Sequence, residues 1–234
     1  SLMLGNAGVN TYRHVPVPCR ESKPVLFGSI PEALIIATSG AQSHILLRKA
    51  LMGNRLSKIV TRTGDAGMTG LANGERVSKD CLRIDCIGEI DELNSCLGVL
   101  LAEELPSAVR EVLTVIQHEL FNLGGEICLP GYSAIQEAHV LHLEEQVEKF
   151  NGELAPLKEF ILPGGNRAAA LAHLSRSVCR RVERRLVHLA NSEAVPELAR
   201  KYINRLSDLL FVLARTLNHA TGQGDILWQH ERKK

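Results

Sequence analysis

From Gly88 onward, apolar positions recur with a helical period. Five segments carry apolar residues at i, i+3, i+4 and i+7: about Gly88–Glu103, Ala108–Cys128, Glu137–Gly152, Arg167–Leu189 and Pro196–Ala220. Breaks fall between them at Pro106, Pro130-Gly131, Pro163-Gly164-Gly165 and Pro196, then at Gly222 and Gly224. Short connections between amphipathic helices predict an all-α, up-and-down five-helix bundle. Residues 58–87 read as irregular or extended. Residues 1–51 hold Pro16, Pro18, Pro24 and Pro31 and no sustained period, so they read as a flexible or appended extension. Within them HILLRKAL (His44–Leu51) suits one turn of helix. The expected organisation is therefore an extension (1–51), a loop segment (52–87), the bundle (88–222) and a tail (223–234).

Two helices carry polar faces opposite their apolar stripes. In the fourth, Leu171, Leu174, Val178, Val182 and Leu189 predict the buried side, with Arg176, Arg180, Glu183 and Arg184 roughly opposite and Arg181 and Arg185 between. In the fifth, Leu206, Leu209, Leu210, Leu213 and Leu217 oppose Asn204, Asp208, Phe211 and Arg215. The first helix groups Asp91, Asn94, Ser95 and Gly98 in the same way. Periodicity leaves two readings open: solvated faces, or a cleft between subunits. Phe211 amid polar neighbours, and Asn and Asp in mid-helix where they are poor helix formers, favour the cleft. Clustered arginines are fixed, multidentate cations of the kind a triphosphate needs.

Composition narrows the classes. Hydrophobic residues make up 45% of the 234 residues and aromatics 4%, enough for a core and weighted toward helix. A net charge of +1 disfavours nucleic-acid binding. No apolar run approaches a membrane span. Cys19, Cys81, Cys86, Cys96, Cys128 and Cys179 form no C-x-x-C pair, which fits core packing in a reducing cytoplasm. MGNRLS at Met52–Ser57 matches a myristoylation pattern but is internal; Met52 suits the start of the folded part.

The segment KIVTRTGDAGMTG (Lys58–Gly70) concentrates Gly, Thr, Asp and two cations. Its Gly64, Gly67 and Gly70 do not make a Walker A loop. It reads either as an ordinary turn or as a nest of backbone N–H groups for phosphate. His139 and His142 lie i, i+3, without further ligands for a metal site. HELFN (His118–Asn122) lacks the second histidine of a zincin, and no paired Glu-x-x-His motifs point to a di-iron bundle.

Six motifs in order carry a family resemblance: TRTGDAGMTG (Thr61–Gly70), GERVSKD (Gly74–Asp80), GEIDELNSCLG (Gly88–Gly98), FILPGG (Phe160–Gly165), SRSVCRRVERR (Ser175–Arg185) and NRLSDLLFVLAR (Asn204–Arg215). Over about residues 58–228 the chain resembles the ATP:cob(I)alamin adenosyltransferases of the propanediol-utilisation class. The resemblance implies a homotrimeric five-helix bundle with an active site between neighbouring subunits. It implies that ATP, with Mg2+, lies against the N-terminal loop, Thr61, Arg62, Thr63, Gly64, Asp65, Gly67 and Thr69, and that Lys79 contacts phosphate. Arg180, Glu183 and Asn204 match nucleotide-holding positions. Arg176 and Asp91 match an ion pair across the subunit interface, and Phe160 matches the aromatic that crowds the lower face of cobalt. Arg62 and Ala66 depart from the family, which often carries Lys at the first place and Lys or another residue at the second. Trp228 lies in a tail that reads either as a frayed end or as a segment closing over the corrin.

The implied reaction is attack of cob(I)alamin on the 5′ carbon of ATP, with triphosphate leaving and adenosylcobalamin formed. Excluding the lower axial ligand makes cob(II) easier to reduce, and no protein side chain need ligate cobalt. The implied partners are a flavoprotein or other reductase and, as a recipient, an adenosylcobalamin-dependent enzyme; no nucleic acid and no membrane are called for. Two rival readings stand beside this one. A non-catalytic trimer binding ATP or adenosylcobalamin would share most of the sequence, although Phe160, Arg180 and Asn204 together favour catalysis. An unrelated helical scaffold would show no ATP-dependent thermal shift.

Overall fold

The computed structural model describes residues 59–229. The expectations for residues 1–51 and for Met52–Ser57, with Lys58 and the last five residues of the chain, lie outside this range. Five helices dominate: α1 Leu82–Leu101, α2 Ser107–Cys128, α3 Glu137–Gly152, α4 Arg167–Leu189 and α5 Glu197–Ala220. The segment expected to be irregular or extended contains a small antiparallel hairpin, β1 Met68–Gly70 with β2 Arg76–Ser78. Its register pairs Met68 with Ser78, Thr69 with Val77 and Gly70 with Arg76.

The first helix begins at Leu82 and not at Gly88. Arg83, Cys86, Ile90, Leu93, Leu97 and Leu100 form one buried stripe, and Gly88 merely faces outward within it. A charged residue heads this stripe because it has long-range partners. Arg83 reaches Glu193 at 2.6 Å through Nη2 and donates to the Ile127 carbonyl at 2.6 Å through Nη1. Sequence periodicity does not register a buried arginine as core.

α4 packs on both α1 and α5, α2 packs against α1, and α3 lies against α5. The core between them is aliphatic, with Leu93, Leu120, Leu186 and Leu206 fully buried. Tyr202, also fully buried, donates its hydroxyl to Glu119 at 2.7 Å, so the phenol does not enter the core unpartnered. Glu126 accepts from the backbone N–H of Ala134 and Ile135 at 2.6 and 2.7 Å, which anchors the turn after α2.

Helix α4 starts at a built cap. Asn166 accepts from the Ala169 N–H at 2.9 Å, and its own amide donates to the Leu217 carbonyl at 2.7 Å. Gly165 precedes it with φ +109°. A Cβ there would stand 2.0 Å from the Asn218 side-chain oxygen, so only glycine fits. This junction fixes the segment that carries Phe160.

Three side chains fall elsewhere than periodicity suggests. Leu174, expected in the buried stripe of the fourth helix, is 53% exposed, and Ala172, Ser175 and Cys179 fill that side instead. Arg215, expected on the outward face of the fifth, is buried and pairs with Asp225 at 2.8 Å while donating to the Ala155 carbonyl. Asn94 does not join an open polar face: it exchanges hydrogen bonds with Gln117 of α2 at 3.2 and 3.1 Å.

Candidate functional site

The loop 59–67 folds back over the hairpin. Arg76 draws it in by donating to the Thr63 carbonyl at 2.6 Å and the Met68 carbonyl at 3.3 Å. The Gly67 N–H closes a turn onto the Gly64 carbonyl, and Lys79 N–H donates to the Gly67 carbonyl at 2.9 Å. Arg62 adopts φ +58°, a left-handed conformation that a non-glycine residue rarely takes. The Thr61 and Thr63 hydroxyls lie 3.0 Å apart. A Cβ on Gly64 would stand 2.9 Å from Lys79 Nζ, so the ammonium lies close over the glycine. The result is a cation, two hydroxyls and turn amides on one exposed surface, with Asp65 and Thr69 beside them. Such a surface can hold an anion with several oxygens.

The α4–α5 face is ordered by a chain of polar contacts. Asn204 donates to Glu183 at 2.9 Å, Arg205 donates to the Asn204 oxygen at 2.8 Å, and Arg205 Nε reaches Glu144 at 2.6 Å. Asn204 and Glu183 are thereby oriented against each other. The six arginines of α4 divide. Arg181 bonds Glu89 and Glu92, and Arg185 pairs with Asp85 at 3.2 Å, so both tie α4 to α1. Arg176 and Arg180 instead border a cavity. Arg167 pairs with Glu103 at 2.7 Å, and Arg184 donates to the Arg180 carbonyl at 3.0 Å.

Two adjoining cavities open on this face. One, of about 610 Å³, is bordered by Arg176, Arg180, Asp208, Phe211 and Arg215. The other, of about 520 Å³, is bordered by Phe160, Ile161, His173, Arg176 and Phe211. Leu157, Arg176 and Phe211 belong to both. Burial lowers the Arg176 pKa, with Arg180 adding to the effect, and burial raises that of Asp208. Phe160 is 78% exposed above its cavity, and its ring meets Trp228 edge to face.

The tail is not frayed as far as residue 229. Leu162 N–H donates to the Ile226 carbonyl and Trp228 N–H to the Phe160 carbonyl, each at 2.7 Å. The structure thus brings Arg176 together with Phe160, Glu183 with Asn204, and Gly64 with Lys79. Neither cavity includes a residue of the loop or Asp91. Asp91 is exposed on α1 and makes no ion pair with a described residue. His173, Asp225 and Trp228 border or brace this region; of these, sequence reading did not single out His173 or Asp225. The available signal for His173 was its place one turn before Arg176.

His139 and His142 are accounted for locally. His139 Nδ1 accepts from the Gln136 N–H at 2.9 Å and caps α3. His142 lies 3.9 Å from Glu145. Among the described residues, no cluster of three His, Cys, Asp or Glu side chains could hold a metal, and no helix is long and apolar enough to cross a membrane.

Comparison with known proteins identifies related chains. The family model described as Cobalamin adenosyltransferase matches residues 59–217. A cobalamin adenosyltransferase of Cupriavidus metallidurans is 58% identical over 183 residues, covering 78% of this chain and all of that protein. A corrinoid adenosyltransferase of Bacillus subtilis is 43% identical, covering 74% of this chain and 92% of that protein. Among solved structures, a phenylalanine-to-alanine variant of a PduO-type ATP:corrinoid adenosyltransferase from Lactobacillus reuteri, complexed with cobalamin and ATP, superimposes with a TM-score of 0.71. Its identity is 31%, over 74% of this chain and 100% of that one.

Proposed function

The chain belongs to the cobalamin adenosyltransferase family, and from that premise we infer its reaction: it transfers the 5′-deoxyadenosyl group of ATP to the cobalt of cob(I)alamin, releasing triphosphate. The carrying observation is the pairing of a polyanion cradle with an arginine-bordered cavity that has an exposed phenylalanine beside it.

The roles of individual residues follow from their chemistry. Displacement at carbon leaves a triphosphate carrying several negative charges. Lys79, Arg180 and the loop amides near Gly64 meet that charge, a stabilisation that grows as the bond breaks. The hydroxyls of Thr61 and Thr63 and the Asp65 carboxylate are hard oxygen donors. They suit Mg2+ held jointly with phosphate oxygens, and the ion supplies neutralisation of the leaving group. Glu183 and Asn204, already ordered against each other, hold the nucleoside. Fixing the 5′ carbon in line with cobalt removes much of the orientational cost of the reaction.

Phe160 places an apolar ring where a lower ligand to cobalt would stand. The cobalt itself forms the new bond, and the protein tunes it by excluding that ligand. A homotrimer unites the two halves of the site. The loop and Asp91 of one protomer approach the α4–α5 face of the next, and Asp91 pairs with Arg176 across the interface. This reading is supported by two cavities that neither the loop nor Asp91 of the same chain borders and by the absence of a carboxylate partner for Arg176 among the described residues. A reductase delivering one electron, a recipient enzyme for the product and a cytoplasmic setting belong to the same proposal.

The test is spectroscopic. Protein, chemically reduced cobalamin and Mg-ATP are mixed, and the light-sensitive alkylcobalamin spectrum is followed. Conversion that requires ATP supports the function. Binding without conversion would assign the chain to the sensor or chaperone class.

A further inference from the structure

His173 is a buried polar group that the reaction outlined above does not use. It lies on α4 one turn before Arg176, 3% exposed, and its ring meets Phe211 edge to face at 6.1 Å. Neither ring nitrogen has a hydrogen-bond partner among the described residues, and the same is true of the buried Arg176 Nε. Both side chains border the cavity beneath Phe160. Buried polar atoms are rarely left unpaired, so three on adjoining turns of one helix, at one cavity, point to a ligand.

The donor and acceptor pattern narrows the ligand. Burial first, and the Arg176 charge second, lower the His173 pKa, so the ring is held uncharged. The Asp225 carboxylate of the tail opposes this, but Arg215 and Asn218 already engage it. Lys158 and Glu159 border the same cavity from the connecting segment. An uncharged imidazole offers one acceptor nitrogen and one N–H donor, and Arg176 Nε–H offers a further donor. Residues three apart on a helix face the same way, about 5–6 Å between Cβ atoms. A group that meets the acceptor nitrogen of the imidazole and the Arg176 donor together must accept through one atom and donate through its neighbour. A primary carboxamide does so: its oxygen meets the arginine and its NH2 meets the imidazole. A carboxylate or an ester can accept from either N–H but has no donor for the acceptor nitrogen of the imidazole.

We propose that His173 and Arg176 Nε together form a receptor for one carboxamide arm on the rim of the corrin ring, so that the cavity beneath Phe160 selects amidated corrinoids. The proposal rests on the corrinoid reading of this cavity. It leaves the terminal guanidinium nitrogens of Arg176 for Asp91 of the neighbouring protomer. Phe211 covers the imidazole, so seating the arm requires a shift of that ring. His173 acts in substrate recognition and takes no part in the transfer itself.

The test uses the full-length protein and a series of cobalamins, each with one primary carboxamide arm converted to a methyl ester. Loss of one buried hydrogen bond corresponds to about tenfold in affinity. In the unaltered protein, one ester of the series should bind about tenfold more weakly, with the KM for ATP unchanged, and the others should bind near normally. His173→Phe should weaken unmodified cobalamin by a similar factor and should abolish the handicap of that one ester. His173→Gln, which keeps an acceptor and a donor, should restore much of the affinity. Should His173→Phe fail to fold, the ester series in the unaltered protein decides: no arm whose conversion matters overturns the proposal. Additive losses in His173→Phe, with the ester handicap retained, also overturn it. An unaltered protein that binds every ester normally yet adenosylates cobalamin refutes the arm receptor alone. One that neither binds nor converts cobalamin refutes the functional reading together with it.

Discussion

Trp228 is tied to Phe160 twice: its N–H donates to the Phe160 carbonyl at 2.7 Å, and the two rings meet edge to face with centroids 6.3 Å apart. The tail therefore braces the residue assigned to the lower face of cobalt. An exposed phenylalanine keeps a fixed position only if something holds its backbone, and the bridge from Ile161 to Leu227 extends that hold.

Phe160→Ala should impair reduction of cob(II)alamin more than transfer to pre-reduced cobalamin. We expect a loss of about tenfold or more in the reductase-coupled assay and a few-fold in the assay with chemical reductant, tenfold being 1.36 kcal/mol of barrier. Equal loss in both assays would remove its assignment to reduction.

Arg180→Ala should raise the KM for ATP and slow transfer while leaving cobalamin binding near normal. Removing one charge-assisted contact to a leaving phosphate corresponds to about a hundredfold in kcat/KM. Steady-state kinetics with each substrate varied would reveal it, and unchanged ATP kinetics would contradict the assignment of Arg180 to the nucleotide.

Arg83→Ala should cost stability and not chemistry. It strips a buried charge from Glu193 and a donor from the Ile127 carbonyl. Breaking such a pair from one side destabilises by about 3 kcal/mol. A shifted denaturation midpoint with near-normal turnover of the folded fraction is the expected result.

Gly165→Ala should disturb both stability and the Phe160 segment. The residue has φ +109°, and its Cβ would meet the Asn218 oxygen at 2.0 Å. A loss of about 2 kcal/mol or more is expected from the clash and the backbone strain together. Denaturant melts would measure it, and reduction of cob(II)alamin should fall in parallel.

His173 should also register in stability against pH. Its folded pKa is depressed below the ordinary 6.5, by burial first and Arg176 second. The unfolded chain therefore binds more protons than the folded one as pH falls below that value. The contribution to stability is present above pH 6.5 and is lost as pH falls toward the folded pKa. Denaturant titrations across this window should show a shallower acid slope in His173→Phe than in the unaltered protein.

Helix periodicity and its Pro and Gly punctuation determined most of the fold on their own. Helices α3 and α4 run between the residues expected from sequence, because apolar spacing and terminators are local properties of the chain. The ordered motifs likewise made the family legible. Tertiary structure decided what local pattern does not encode. The start of α1 depends on a buried arginine whose partners, Glu193 and Ile127, are distant in sequence. Tertiary structure also sorted the arginines of one helix: Arg181 and Arg185 clasp Glu89, Glu92 and Asp85, whereas Arg176 and Arg180 border a cavity. The sequence places Arg176 and Arg181 alike as cations on an amphipathic helix. Which one has carboxylates within reach, and which has a buried nitrogen with no described partner, depends on the helices packed against each face.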